Sequence, residues 1–178
     1  IFSRQLASLT LGDAGAAVIV ERAPDKRAGI TLAGFTTLSE HSRLCLGAPA
    51  PHSPGARMFT KARTIHKVAI ADTPPLLDDL LLETGLRLRD IDWLIPHQTS
   101  ARAIRAGERE LVGRFGEGPK NIVVNVEERG NTASTTHFLA LRRYLDEGRF
   151  KAGERIMLLS LASGLEIGVV LFTVDEDL

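Results

Sequence analysis

Three apolar runs in the sequence end in residues that could stabilise a developing negative charge. His97 and Gln98 follow the run Ile91–Ile95, and Asn131 follows the run Ile122–Val126. A third run, Ile156–Leu161, leads into a turn of small residues that offers backbone N–H groups. A neutral imidazole, a carboxamide and backbone N–H groups together can stabilise an oxyanion or an enolate, which is often the largest catalytic contribution. The same residues also fit a structural interpretation, in which His97 is a satisfied core residue and Asn131 caps a helix.

The elements that would position these residues alternate between strands and helices. Strands are predicted at residues 6–11, 18–20, 30–35, 91–95, 122–126, 156–161 and 167–174, and helices at 64–84, 98–115 and 132–147. This order predicts an α/β fold, in which helices cover a mixed sheet. Functional groups in such folds collect beyond the carboxyl ends of strands, where His97 and Asn131 both lie.

Two stretches interrupt the regular pattern. Residues 41–59 are rich in proline and glycine and lack clear periodicity, which predicts a long loop. The pair Pro74 and Pro75 should kink or restart the helix at 64–84, with Thr73 as a possible N-cap and Gly85 at its end. The apolar face of the helix at 132–147 is predicted to contain Phe138, Leu141 and Leu145.

Composition limits the class of protein. The chain has 178 residues, 44% hydrophobic and 25% charged, as expected for one large soluble domain. Lys plus Arg and Asp plus Glu both number 22, so no net charge favours nucleic acid or a membrane as a partner. The single cysteine, Cys45, excludes an internal disulfide and indicates a reducing, cytoplasmic location. No apolar run approaches the roughly 18 residues of a membrane span.

Three motifs in order carry a resemblance to a known family. They are GDAGAAVIV near the start, PHQ after an apolar run, and GNT at the start of a predicted helix. Together they resemble the C-terminal half of β-ketoacyl-acyl carrier protein synthase III, a family with a thiolase-like fold. The resemblance runs from about Leu11 to Phe172. It implies that residues 1–178 form one half of a layered αβαβα domain.

The resemblance also implies a reaction. His97 and Asn131 match the histidine and asparagine of a Cys-His-Asn set, which polarise a malonyl thioester carbonyl so that CO₂ leaves and the enolate attacks an acyl-enzyme. The backbone N–H of Ser163 matches a donor to the acyl carbonyl. The implied substrates are thioesters of coenzyme A or acyl carrier protein, in fatty acid or polyketide biosynthesis, with no cofactor and no metal.

Partners follow from the same resemblance. Arg102 and Arg109 match basic positions that meet the acidic carrier protein or the phosphates of coenzyme A, and Arg105 falls on the same helical stripe. The alternative is a solvated helix face whose charge is balanced by Glu108 and Glu110. A homodimer is also implied.

The chain departs from the family pattern at several places. Glycines and a phenylalanine are usual in the turn after the last-but-one strand, where this chain has Ser160–Gly164, with sequence SLASG. Thr99 and Ser100 follow PHQ in place of Ala-Asn, and Ala133 follows GNT in place of serine. These changes keep the donors and leave open whether a C–C bond or an ester is formed.

The largest departure is the missing nucleophile. The family's cysteine lies in the N-terminal half, and Cys45 does not match it, so we expect the chain to need a cysteine-bearing N-terminal half and to be inactive alone. The alternative is a non-catalytic thiolase-like subunit that shapes a pocket or docks a carrier protein. Retention of both His97 and Asn131 favours the enzyme. The other histidines are predicted to be structural or exposed, namely His41, His52, His66 and His137.

Overall fold

The computed structural model of the chain describes residues 9–23, 28–52 and 54–175. Its strands are β1 (Gly29–Thr37), β2 (Cys45–Pro49), β3 (Ala56–Thr60), β4 (Trp93–Pro96), β5 (Asn121–Ile122), β6 (Arg155–Ala162) and β7 (Glu166–Thr173). Its helices are α1 (Ala62–Thr84), α2 (Ala101–Phe115), α3 (Val126–Arg129) and α4 (Thr136–Asp146). Short 3₁₀ turns occupy Ser39–Leu44, Leu88–Asp90 and Ala133–Thr135.

The main sheet has five strands in the order β1-β7-β6-β4-β5. Strand β4 runs parallel to both of its neighbours, β5 and β6, whereas β7 is antiparallel to β6 and to β1. The predicted α/β class with a mixed sheet is therefore confirmed. Because β4, β5 and β6 are parallel, their carboxyl ends meet at one edge, which is where the polar residues of the candidate site begin.

Helices cover both faces of this sheet. On one face, Leu77 and Leu80 of α1 and Leu111 of α2 pack in one cluster with Leu94 of β4 and Leu159 of β6. On the other face, Ala140 of α4 packs with Trp93 and Ile95 of β4. Burial from both sides explains why the central strands are apolar throughout, without the alternation of a half-exposed strand.

The predicted loop at 41–59 is wrong. After the 3₁₀ turn Ser39–Leu44, strands β2 and β3 form an antiparallel hairpin in which Cys45 pairs with Thr60 and Pro49 with Ala56. Pro49 lies at the end of β2, and Pro51, Pro54 and Gly55 lie in the connecting turn, where the Ala50 N–H donates to the Gly55 carbonyl oxygen over 3.1 Å. Small residues that disrupt periodicity therefore mark a hairpin here, because they supply the turn.

The prolines do not divide the first helix. Helix α1 is continuous with Pro74 and Pro75 inside it, and Thr73 is buried in its interior, so the N-cap prediction was wrong. Packing of Leu77, Leu80 and Leu81 against the sheet offsets the hydrogen bonds that the prolines lack. The helix does end at Gly85, as predicted, in the left-handed conformation with φ 68°.

Other predicted elements were shorter or displaced. The strand at 122–126 stops at Ile122, because the chain turns into α3 at Val126. Residues 18–20 form no strand and are exposed. Of the predicted strand 6–11, residues 6–8 lie outside the described residues, and Leu11 forms only an isolated bridge with Asn131. Phe138, predicted on the apolar face of its helix, is 37% exposed. Tyr144 instead packs beside Trp93, with ring centroids 5.5 Å apart. No helix in the described part of the chain is long and apolar enough to cross a membrane.

Candidate active site

His97 lies one residue beyond the carboxyl end of β4. Its backbone N–H donates to the Leu159 carbonyl oxygen of β6 over 2.8 Å, so the parallel pairing of β4 and β6 fixes its backbone. The imidazole is half-buried, and neither ring nitrogen forms a hydrogen bond with a described residue. Because only the backbone of His97 is held, its ring N–H can donate a hydrogen bond to a ligand.

The His97 ring lines a cleft between α1, α2 and the ends of β4 and β6. With its open mouth the cleft measures about 660 Å³, and its walls are mostly apolar. The lining residues that surround His97 include His66, Ile70, Thr73, Pro96, Thr99, Leu111, Leu159 and Leu161. An apolar cleft with a few polar groups is typical of a small-molecule site.

The cleft keeps His97 neutral at physiological pH. The pKa of His97 is lowered from 6.5 to about 4, mainly by burial and in smaller part by the neighbouring His137 and His66. At pH 7 the ring therefore carries one N–H donor and one bare nitrogen. The cleft can thus present a hydrogen-bond donor to a carbonyl oxygen without a fixed charge.

Asn131 is held by backbone on both sides and by its own side chain. Its N–H donates to the Thr10 carbonyl oxygen over 2.8 Å, and its carbonyl oxygen accepts from the Gly12 N–H over 2.9 Å. Its Oδ1 accepts from the Ala133 N–H over 3.0 Å. Because only an oxygen can accept from an N–H, this bond identifies the two ends of the carboxamide. The side-chain NH₂ group then points away from Ala133 and makes no hydrogen bond with any described residue.

Two glycines allow the backbone around Asn131 to approach this closely. A Cβ atom on Gly12 would lie 2.2 Å from the Arg129 carbonyl oxygen, so no other residue fits there. Gly130 has φ 68°, and a Cβ atom on it would lie 2.9 Å from the Thr10 carbonyl oxygen. The start of GDAGAA therefore packs against the Asn131 loop at a position that only glycine can occupy.

Gln98 connects the end of β4 to the segment that follows β5 through side-chain hydrogen bonds. It is 2% exposed, and its Oε1 accepts from the N–H groups of Asn125 and Val126 over 2.6 and 3.1 Å. Its Nε2 donates to the carbonyl oxygens of Pro96 and Val123 over 2.9 and 3.0 Å. With its donors and acceptor used, Gln98 is not free to bind a ligand. It connects the residues around His97 to the chain that leads to Asn131.

The structure does not place all predicted site residues in the cleft. Of the described residues that line it, none is Asn131, Ser163 or Cys45. Ser163 is exposed in the turn between β6 and β7, and Cys45 lies on β2 with its Sγ 3.4 Å from Thr60 Oγ1. That His97 and Asn131 act on one substrate, with Ser163 as a third donor, stays a prediction.

The arginine stripe lies on the exposed side of α2. Arg102, Arg105 and Arg109 are exposed, and none of them forms an ion pair with a described residue. Glu108 and Glu110, which could balance their charge, are exposed on the same helix and also line the His97 cleft. The arginine stripe is therefore an exposed basic surface on α2, and its role in binding coenzyme A or a carrier protein stays a prediction.

Sequence reasoning missed two histidines near His97. His66 lines the cleft, and His137 is 7% exposed with its ring centroid 6.2 Å from that of His97. His137 belongs to a stripe with Ala140, Leu141 and Tyr144, whose helical spacing could have indicated burial. His66 has no such signal, because only the fold brings α1 beside β4. No group of three or more His, Cys, Asp or Glu side chains in the described ranges could hold a metal ion.

Comparison with known proteins supports the fold and the family resemblance. Residues 81–174 match the family described as 3-oxoacyl-[acyl-carrier-protein (ACP)] synthase III C terminal. The β-ketoacyl-[acyl-carrier-protein] synthase III of Methylococcus capsulatus is 31% identical over 170 residues, which are 92% of this chain and 50% of that protein. The corresponding enzyme of Brucella anthropi is 28% identical over 166 residues, 90% of this chain and 50% of that protein.

A solved structure shares the fold. OleA of Xanthomonas campestris superposes with a TM-score of 0.75 at 22% identity, over 96% of this chain and 47% of that chain. The thiolase-like fold class is therefore confirmed. The chain spans about half the length of the curated relatives it matches.

Proposed function

The chain belongs to the 3-oxoacyl-[acyl-carrier-protein] synthase III family, and from this premise we propose that it is the C-terminal half of a condensing acyltransferase. The reaction would join an acyl thioester to a malonyl thioester with loss of CO₂. The observation that carries the proposal is the neutral His97 ring, whose nitrogens have no described partner in an apolar cleft.

The reaction has two steps. A cysteine thiolate from the N-terminal half attacks an acyl thioester, and the coenzyme A or carrier-protein thiolate leaves. The bond between the malonyl C2 and its carboxylate then breaks, CO₂ departs, and the electron pair moves onto the thioester oxygen as an enolate. C2 of the enolate attacks the acyl-enzyme carbonyl, and the cysteine thiolate is released with a new C–C bond formed.

The residues of this chain act on the second step. His97 and Asn131 donate to the malonyl thioester oxygen, where negative charge develops, and Ser163 offers its backbone N–H to the acyl carbonyl. The carboxamide of Asn131 supports this assignment, because its oxygen is engaged by the Ala133 N–H and its NH₂ group is left for a ligand. Neither donor carries a negative charge that would repel an enolate. The step needs no metal and no cofactor.

The partners follow from charge and exposure. Arg102 and Arg109, which are exposed and form no ion pair with a described residue, would meet the phosphates of coenzyme A or an acidic carrier protein. Binding of this kind weakens as salt rises, which is the measurable sign of the stripe's role. Residues 1–178 would form one half of a thiolase-like domain in a cytoplasmic homodimer, packed against the half that bears the cysteine.

Intact-mass analysis of the full-length protein, with its cysteine-bearing half, tests the proposal. After incubation with a panel of acyl thioesters, one acyl group should add to the protein, and malonyl thioester should then release it as a 3-oxoacyl product. An ester product instead would mean that the enolate is not the acceptor. A protein that takes up no acyl group from any thioester would contradict the proposal and favour a non-catalytic subunit.

A further inference from the structure

His97 has a second imidazole behind it, on the opposite face of the sheet from α1. His137, in the first turn of α4, is 7% exposed, and its ring centroid lies 6.2 Å from that of His97 with 34° between the ring planes. Its Nε2 lies 3.1 Å from the Leu159 carbonyl oxygen, and the His97 backbone N–H donates to that same oxygen over 2.8 Å. The two histidines therefore form an imidazole pair, and both hydrogen-bond to the Leu159 carbonyl oxygen, which we call the anchor.

The anchor determines where protons lie on His137. A carbonyl oxygen only accepts, so Nε2 of His137 carries a proton, and Nδ1 is the bare nitrogen of the neutral ring. A further proton adds at Nδ1 while the bond to Leu159 is kept. Burial lowers the pKa of His137, and the hydrogen bond to Leu159 raises it in part. The His97 ring has no such bond with a described residue, so it is the poorer site for a proton.

We propose that His137 is a positioning residue for His97: the imidazole pair takes its first proton on His137, and the His97 ring keeps its neutral form as a donor to substrate. This inference rests on the proposed function for its catalytic meaning. It concerns a residue that the Cys-His-Asn set does not include. Repulsion between two cations about 6 Å apart is the physical cause, because the pair is shielded from water.

Other ionisable groups also face His97. His66 of α1 lines the same cleft, and its positive form would oppose protonation of His97 in the same direction as His137. Glu108 and Glu110 of α2 line the cleft and would act in the opposite direction. Burial lowers the pKa of His66, so it is neutral at pH 7. The effect of His137 must therefore be isolated by substitution.

Two variants of His137 and one control distinguish the effect of its hydrogen bond to Leu159 from the effect of its positive charge. His137→Gln keeps an N–H donor for the Leu159 carbonyl oxygen but cannot take up a proton. His137→Leu loses both the donor and the proton site. His52→Gln is the matched control, since His52 is exposed in the turn between β2 and β3 and outside the cleft.

The test is an NMR titration of isotope-labelled histidine in the full-length protein. In the unaltered protein, His137 should protonate at a higher pH than His97, whose pKa is about 4. In His137→Gln the pKa of His97 should rise by about one unit, because the repulsion is removed. His52→Gln should leave it unchanged. The inference is overturned if His97 protonates before His137, or if its titration is the same in His137→Gln.

The kinetic readout follows the titration. In His137→Gln the acid limb of kcat for condensation should move to higher pH with the pKa of His97, while KM at pH 7 stays within twofold. His137→Leu should also lower kcat at pH 7, and His137→Gln should restore it. An acid limb that does not move in His137→Gln would overturn the inference. Since the titration needs no substrate, absence of condensation in the unaltered protein would count against the proposed function and not against the imidazole pair.

Discussion

At the scale of single residues, His97 and Asn131 become available to a ligand by different means. His97 is held only through its backbone, and its ring is kept neutral by burial and by two neighbouring imidazoles. Asn131 is fixed through its side chain, because the Ala133 N–H occupies its oxygen and leaves its NH₂ group unused. Each arrangement leaves an uncharged N–H donor that no described residue uses, which suits the stabilisation of an enolate.

Substitution of Asn131 by aspartate separates the donor from the turn. In Asn131→Asp an oxygen still accepts from Ala133, so the fold should be kept, but the NH₂ group is replaced by a negative oxygen. The condensation rate of the full-length protein should fall by roughly 100-fold or more, and the thermal unfolding temperature should change little. Asn121→Asp, at an exposed position, is the control and should keep its rate. A fully active Asn131→Asp would remove Asn131 from the mechanism.

The histidines near the cleft should make the protein less stable in acid. The pKa values of His66, His97 and His137 are all lowered by burial. Between pH 6.5 and pH 4 the unfolded chain binds protons that the folded chain does not, so stability falls as pH falls through this window. His97 alone, with its pKa lowered from 6.5 to about 4, contributes up to about 3 kcal/mol.

Urea unfolding at a series of pH values measures this effect. The free energy of unfolding should decrease from pH 7 to pH 4, and the decrease should be smaller in His97→Gln, which has no proton to bind. His52→Gln, at an exposed position, should behave like the unaltered protein. Equal stability at pH 7 and pH 4.5 would show that these rings are not held neutral.

At the scale of secondary-structure elements, the site depends on how neighbouring strand ends are joined. Gln98 links the end of β4 to the start of α3, and Arg143 of α4 reaches the same segment from the other side. The Arg143 guanidinium donates to Asn125 Oδ1 over 2.8 Å and to Glu128 Oε2 over 2.6 Å. The segment that leads to Asn131 is therefore held by both β4 and α4.

Elements with local signals could be predicted, and those set by tertiary packing could not. Apolar runs identified β6 and β7, and Gly85 marked the end of α1 in the left-handed conformation. The same local rules failed at Pro74 and Pro75, because packing of α1 on the sheet overrides the cost of two missing N–H groups. The β2–β3 hairpin was missed because short strands between turns have no periodicity to detect.

In the candidate site too, residues with a local sequence motif could be predicted, and residues brought together only by tertiary packing could not. His97 and Asn131 were found because PHQ and GNT follow apolar runs in a fixed order. His66 could not be found, since 31 residues of sequence separate it from His97 and only the packing of α1 brings them to one cleft. The role of Gln98 as a connector also needed coordinates, because a carboxamide after a strand fits a ligand-binding role equally well.

Replacement of Gln98 by methionine tests the connection between these elements. Met has a similar shape but cannot pair the backbone groups of Pro96, Val123, Asn125 and Val126. Gln98→Met should lower the free energy of unfolding by about 2–4 kcal/mol and reduce condensation. Asn121→Ala, which removes an exposed carboxamide bond to the Asp92 carbonyl oxygen, should cost less than about 1 kcal/mol. Chemical denaturation measures both, and equal costs would contradict a special role for Gln98.

At the scale of the whole molecule, the chain leaves several large apolar side chains exposed on β1 and in the segment before it. Ile30 and Phe35 of β1 are 61% and 62% exposed, and Ile19 and Val20 before this strand are 93% and 75% exposed. Large apolar side chains this exposed are uncommon in such number on stable monomers, and they indicate surface that another protein segment covers. The proposed N-terminal half would supply that cover.

Expression of residues 1–178 alone tests this expectation. The chain should bind a hydrophobic dye and self-associate in light scattering, and the full-length protein should do neither. Replacement of both Ile30 and Phe35 by threonine should reduce dye binding, whereas Val112→Thr, at a 42% exposed position on α2, should not. A dye-silent, cooperatively folding monomer would show that this half is self-sufficient.

The most direct test of the central claim is the release of CO₂ from malonyl thioester by the full-length protein and its His97→Ala variant. The variant should lose decarboxylation by roughly 100-fold or more, because one donor to the developing enolate is gone. Acylation of the cysteine, followed by intact mass, should be less affected, and His52→Ala should match the unaltered protein in both. An unchanged rate of CO₂ release in His97→Ala would contradict the role assigned to the cleft and to the histidine at its wall.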